Sequence, residues 1–238
     1  MTFDEAQSIG GQRSLGLESV GIENSQKKTL RFVHRSCPAI FALARDLVER
    51  GPLVFSEFNT TESIAPMSAK ESKQCAVPEL SYAKGQEGVL KRVVNQCSEL
   101  RSRFARVAVI TFDADLVARI LDPSNRLGGV VHHIKERGEL LGAIPQPGTY
   151  VMLPEACGGL EFDAVIIAGA DDGRVPTPSG DLGPEAYLYL LEEAHTELYT
   201  AVTRSKYRVV FVCDSLRGPS PILKEPLSIG LIHETHVK

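Results

Sequence analysis

The stretch EAHTELYTAVTRSKYRVVFVCD, residues 193–214, decides the fold. Its first half is a helix-forming run, and residues 207–213 read as a strand buried in a core. The same alternation recurs upstream. RVAVIT (106–111) and AVIIA (164–168) are apolar runs of strand length, and residues 30–33, 77–83, 128–134 and 150–153 are further strand candidates. Helical patterns lie between them over 38–50, 87–103, 114–121 and 184–205. Pro38 in the first turn and Gly51 past the end bracket the first of these helices. In the second, Val89, Leu90, Val93, Val94, Cys97 and Leu100 recur at helical spacing. Strands that are apolar throughout and separated by helices predict a three-layer α/β domain with a mostly parallel sheet. The polar residues 51–74 read as a mobile connection, and residues 215–238 as a C-terminal tail.

Composition bounds the function. The chain has 238 residues, 43% of them hydrophobic and 24% charged, which is ordinary globular usage. With 6% aromatic residues and no Trp, an aromatic-lined sugar site or stacking groove is not expected. A net charge of −4 leaves room only for a local basic patch towards nucleic acid. No apolar run is long enough to span a membrane and no signal-like segment opens the chain, so a cytoplasmic protein with no membrane partner is expected. The five cysteines are scattered without a CxxC pair, so neither a disulfide framework nor a zinc site is expected. His132 and His133 are adjacent, and on a strand they would point to opposite faces, which argues against a metal there.

In parallel sheets, ligands sit outside the carboxyl ends of the strands, so those loops are the first place to look for chemistry. A nucleoside triphosphatase needs a glycine-rich phosphate cradle ending in Gly-Lys-Ser/Thr. The nearest stretch, GGQRSLG (10–16), lacks the lysine. This sequence by itself is therefore not expected to hydrolyse ATP.

Three other segments carry a resemblance. LRFVHRS (30–36) precedes a helix, GLEFD (159–163) leads into AVIIAGADDGRVP, and Thr203-Arg204-Ser205 follows an acidic helix. In this order they resemble the fourth, fifth and sixth motifs of UvrD/Rep-type superfamily 1 DNA helicases. RVAVITFDADLVARIL (106–121) is similar to the strand and helix that follow the fourth motif in that family. The resemblance spans residues 30–214. It implies the second RecA-like domain, a P-loop NTPase-type fold lacking its own P-loop. FDEAQSI (3–9) resembles either the Walker B motif or the third motif. The short interval from Gln7 to Arg35 favours the third, although Phe3 stands where that motif has Gly. Residues 1–29 would then be an N-terminal segment with a remnant of it.

The resemblance implies a site. ATP with Mg2+ would lie in the cleft against a first RecA-like domain or subunit that carries Walker A and B. Arg204 and Arg35 would reach the phosphates, where a permanent charge on a planar fork matches phosphate oxygens. Gln7 would sense the γ-phosphate. Glu161 would accept from the ribose hydroxyl, Gly159 would let the backbone come close, and His34 would stack on adenine in place of the family's Tyr. Blander roles stand beside these: a helix-end charge for Arg204, a solvated arginine for Arg35, a turn residue or cap for Glu161, and a surface glutamine for Gln7. Where the family grips single-stranded DNA with Thr, His and Lys, this chain has Leu153, Glu155 and Gly158. Binding of single-stranded DNA by this chain alone is accordingly expected to be weak. The resemblance implies the C-terminal motor domain of an ATP-dependent DNA helicase or translocase, inactive as the isolated chain. The alternative is a non-catalytic, helicase-derived scaffold or protein-interaction module.

Overall fold

A computed structural model describes residues 32–33, 36–52, 63–64, 67–125, 127, 129–136, 139, 146–178, 180 and 183–235. Along the chain the elements are β1 (Phe32–Val33), α1 (Pro38–Glu49), β2 (Ser63–Ile64), α2 (Ala69–Ser72), β3 (Glu79–Ala83), α3 (Gly85–Arg101), β4 (Arg106–Thr111), α4 (Ala114–Ile120), β5 (Val131–Ile134) and β6 (Gly148–Met152). A short 3-10 turn, Pro154–Cys157, leads to β7 (Phe162–Ala168), α5 (Pro184–Thr203), β8 (Ser205–Asp214), α6 (Pro221–Ser228) and β9 (His233–Thr235).

Among the described residues, seven strands form one sheet in the order β5-β6-β4-β7-β8-β3-β9, and every pairing in it is parallel. The chain is therefore an α/β protein, as its uninterrupted apolar runs predict. In β7, Ala164 to Ala168 are all fully buried, and so are Val107 to Ile110 of β4. Successive side chains of a strand point to opposite faces, so both faces of the sheet centre are covered. Helices α3 and α4 pack together against the sheet, and α1 packs against α5. In the second pair, the buried His195 of α5 places Nδ1 2.7 Å from the Leu47 carbonyl oxygen of α1.

The fold departs from the sequence reading in three places. First, residues 215–235, read as a tail, carry α6 and β9, and β9 pairs in parallel with β3. Pro226 inside the eight-residue α6 argues against a helix on sequence grounds, and a strand of only three residues is too short to show alternation. Second, the part of the connection nearest β3 is built rather than loose. Ser68 caps α2 in a reciprocal capping box with Glu71, and Lys206 of β8 pairs with Glu71 at 3.0 Å. Third, Cys37 and Cys75 form a disulfide with their Cα atoms 5.8 Å apart. Spacing along the chain carries no trace of it, because the fold alone brings the start of α1 beside the residues preceding β3.

Candidate functional site

Two motif segments meet at the amino ends of β7 and β8. Gly158, Gly159, Leu160 and Glu161 enter β7, while Arg204 ends α5 and enters β8. The Phe162 N–H donates to the Arg204 carbonyl at 2.9 Å, and Arg204 Nη1 donates to the Leu160 carbonyl at 3.2 Å. The third motif segment joins from more than a hundred residues upstream. Ser36 Oγ donates to the Ser205 carbonyl at 2.9 Å, and the Cys37 N–H donates to the Lys206 carbonyl at 3.0 Å. Gln7, His34 and Arg35 lie outside the described residues.

Arg204 is only 1% exposed. Its Nε donates to the Thr200 carbonyl at 3.1 Å and its Nη2 to Thr203 Oγ1 at 3.2 Å. Thr200 sits in the last turn of α5, where helix carbonyls lack intrahelical donors and carry partial negative charge. In this structure the guanidinium thus acts as a helix-end group and also ties the two loops together. Gly159 and Glu161 are exposed. Gly159 has φ +82°, and a Cβ there would meet nothing within 4 Å, so the backbone is open to close approach.

An acidic group that sequence reasoning missed borders this edge. Burial raises the Glu197 carboxyl to about 7, and Glu193 and Glu155 add to the effect by like-charge repulsion. The i, i+4 pair Glu193 and Glu197 was visible in the sequence, but its approach to Glu155 depends on how the 3-10 turn packs on α5. Gly158, where the resemblance expects a DNA-gripping Lys, is buried, whereas Glu155 is exposed.

The carboxyl edge, where ligands were expected, is occupied by the protein itself. Arg174 Nη2 pairs with Asp113 at 2.9 Å and Nη1 with Asp171 at 3.2 Å. Asp171 also accepts from the Asp214 N–H at 2.9 Å, and Asp214 in turn accepts from the Gly85 N–H at 2.8 Å. Asp113 caps α4 through the N–H groups of Asp115 and Leu116. Gly169, with φ +76°, makes the packing possible: a Cβ there would lie 2.8 Å from Arg174 Nη1. The cleft among Gln86, Asp113, Arg119, Asp171 and Arg174 leaves a volume of about 10 Å³, room for roughly one water. The candidate residues that the structure describes are thus gathered at the opposite, amino edge. Among the described residues no helix is long and apolar enough to cross a membrane.

No family model and no curated protein matches the chain. Solved structures do. The C-terminal domain of a possible DNA helicase from Lactobacillus plantarum WCFS1 is similar with a TM-score of 0.54 and 19% identity, over 86% of this chain and 99% of that one. An XPD helicase aligns with a TM-score of 0.43 and 12% identity, over 74% of this chain and 39% of that one. Arterivirus nonstructural protein 10, a helicase, aligns with a TM-score of 0.41 and 13% identity, over 70% of this chain and 36% of that one. The chain therefore has the RecA-like fold of a helicase C-terminal domain.

Proposed function

We propose that the chain is the C-terminal motor domain of a UvrD-like, superfamily 1 ATP-dependent DNA helicase or translocase. The observation that carries this reading is the convergence of three sequence-distant motif segments on one edge of the sheet, through the contacts of Ser36 with Ser205 and of Arg204 with Leu160. On this reading the partner is a first RecA-like domain with Walker A and B, facing the amino ends of β7 and β8. ATP, held with Mg2+ by that partner, supplies the phosphoryl group. Of the residues described here, Gly159 leaves room for a close ligand, Glu161 offers an exposed carboxylate to the ribose, and Arg204 supplies a cation. To reach a phosphate the Arg204 side chain must leave the Thr200 and Leu160 carbonyls. It then exchanges these carbonyl acceptors for an ionised, bidentate one. Arg35 would be the second arginine, His34 the base-stacking group and Gln7 the γ-phosphate sensor.

The burial of Arg204 is the observation that favours the second reading, a non-catalytic scaffold or interaction module, because a buried helix-end arginine needs no nucleotide. One experiment separates the two. The first-domain coding sequence associated with this chain is searched for Gly-x-x-x-x-Gly-Lys-Ser/Thr, and the paired domains are assayed for ATP hydrolysis. Arg204→Ala should lower kcat by about a hundred-fold or more, and Arg204→Lys should restore little of it. The isolated chain should show no turnover. Equal rates for wild-type and Arg204→Ala would favour the scaffold.

A further inference from the structure

We propose that Cys75 is a site of reversible modification by low-molecular-weight thiols, and that Cys37 is the cysteine that resolves it. The two sulfurs of the disulfide are unequally placed: Cys37 is completely buried, whereas Cys75 is partly exposed. An attacking thiolate therefore reaches Cys75 Sγ first. A new sulfur–sulfur bond forms there, and the Cys37–Cys75 bond breaks with its electron pair on Cys37 Sγ. That sulfur takes a proton from water. The thiol so formed finds an acceptor already in place, since Cys37 Sγ lies 3.7 Å from the Tyr207 carbonyl oxygen. In the reverse step the Cys37 thiolate attacks Cys75, restores the disulfide and expels the small thiol as a thiolate. A second small thiol that attacks the adduct instead leaves Cys75 reduced and departs as the small-molecule disulfide.

The remaining cysteines do not compete. Cys97, Cys157 and Cys213 are buried, and burial raises the thiols of Cys97 and Cys157 to about 12, with Cys213 higher still. Little reactive thiolate exists at these sites. The opened form also keeps a non-covalent tether, because Lys206 still holds Glu71 of α2. A disulfide persists in an oxidising compartment and acts as a transient sensor in a reducing one, and the same residues serve in both. The exchange reaches the candidate site through the backbone. The Cys37 N–H bonds to the Lys206 carbonyl two residues beyond Arg204, so the disulfide adjoins the segment that follows Arg35 in sequence. The inference goes beyond the nucleotide reading, and its test is a mass measurement that does not depend on ATP hydrolysis.

The full chain is incubated under native conditions with reduced and oxidised glutathione, quenched by alkylation and mapped by peptide mass. Wild-type should interconvert between the disulfide and a form in which only Cys37 and Cys75 are alkylated. Cys37→Ser should trap one glutathione per chain on Cys75, while Cys75→Ser should take it up on Cys37 at least about ten-fold more slowly because that sulfur is buried. Circular dichroism checks that each variant is folded. Should Cys37→Ser not fold, pulsed alkylation of the reduced wild-type must label Cys75 before Cys37. Adducts on Cys97, Cys157 or Cys213, equal rates at Cys37 and Cys75, or no adduct on a folded Cys37→Ser chain would overturn the proposal.

Discussion

The two edges of the sheet each hold an arginine, half-buried at one and buried at the other, and they use it differently. At the carboxyl edge Arg174 lies between two carboxylates, Asp113 and Asp171, that also cap a helix and accept a backbone N–H. At the amino edge the described bonds of Arg204 run to two carbonyls and a hydroxyl. An arginine neutralised by two fixed acids is committed to the fold, because removing it strands a buried charge. The described acceptors of Arg204 are neutral, and a charged, bidentate acceptor binds a guanidinium more strongly than these do. The crevice expected from strand topology is thus filled by structure around Arg174, and the proposed site lies at the opposite edge.

The largest expected effect tests this contrast directly. Arg174→Ala leaves Asp171, 1% exposed, without its cation and should cost about 3–5 kcal/mol of unfolding free energy in a urea titration. Arg204→Ala, which strands the Thr200 and Leu160 carbonyls among its described partners, should cost about 1–3 kcal/mol. Equal costs would dissolve the distinction between the edges.

The two glycines sharpen it. Gly169 and Gly159 have φ of +76° and +82°, so an alanine at either position incurs about 1–2 kcal/mol of backbone strain. At Gly169 the added Cβ also displaces Arg174 from its acids, so Gly169→Ala should cost clearly more than Gly159→Ala. Thermal or urea unfolding of the pair reads the difference, and Gly159→Ala as the more damaging change would contradict the open surroundings of that glycine.

Glu197 gives the amino edge a pH signature. Its carboxyl is raised from 4.5 to about 7, so the folded state binds the proton more tightly than the unfolded state. The resulting stability is fully present below about 4.5 and is lost as pH rises to about 7. Glu197→Gln should flatten that part of the pH profile and make the domain more stable than wild-type at pH 8 by about 1 kcal/mol, a figure discounted for partial exposure. A profile that keeps its slope in the variant would assign the effect elsewhere.

The smallest effect concerns DNA. Single-stranded oligonucleotide should bind the chain weakly with a shallow salt dependence, and Glu155→Lys should steepen the slope of log affinity on log salt by roughly one unit. Fluorescence anisotropy across a salt series measures it. Tight binding with a steep slope by the unmodified chain would place the DNA surface on another face.

Sequence reading recovered what short-range physics determines. The runs at 106–111 and 164–168 became β4 and β7 because a parallel strand buried on both faces must be apolar throughout. Pro38 and Gly51 locate α1 to within one residue at its end. The features it missed are those made by distant pairing: β9 against β3, the Cys37–Cys75 bond, and the approach of Glu155 to Glu197. At the candidate site, the sequence places Arg204 at the junction of a helix and a core strand, which is where it lies. Its orientation was not legible, because the Leu160 carbonyl that holds it comes from 44 residues away.

The place of β3 has a consequence for synthesis on the ribosome. Leu80 of this strand pairs with Phe211 on one side and Glu234 on the other. Strands β4, β6 and β7, from residues 106–168, can pair among themselves while the chain is still emerging. β3 leaves the exit tunnel before any of them, yet its slot does not exist until β8 and then β9 have been made. Closing separations of this length is slow, so an early strand with unpaired backbone groups must wait for its partners. Translation that stalls before residue 205 should therefore leave a nascent chain with an incomplete sheet, a natural substrate for a chaperone that binds extended segments.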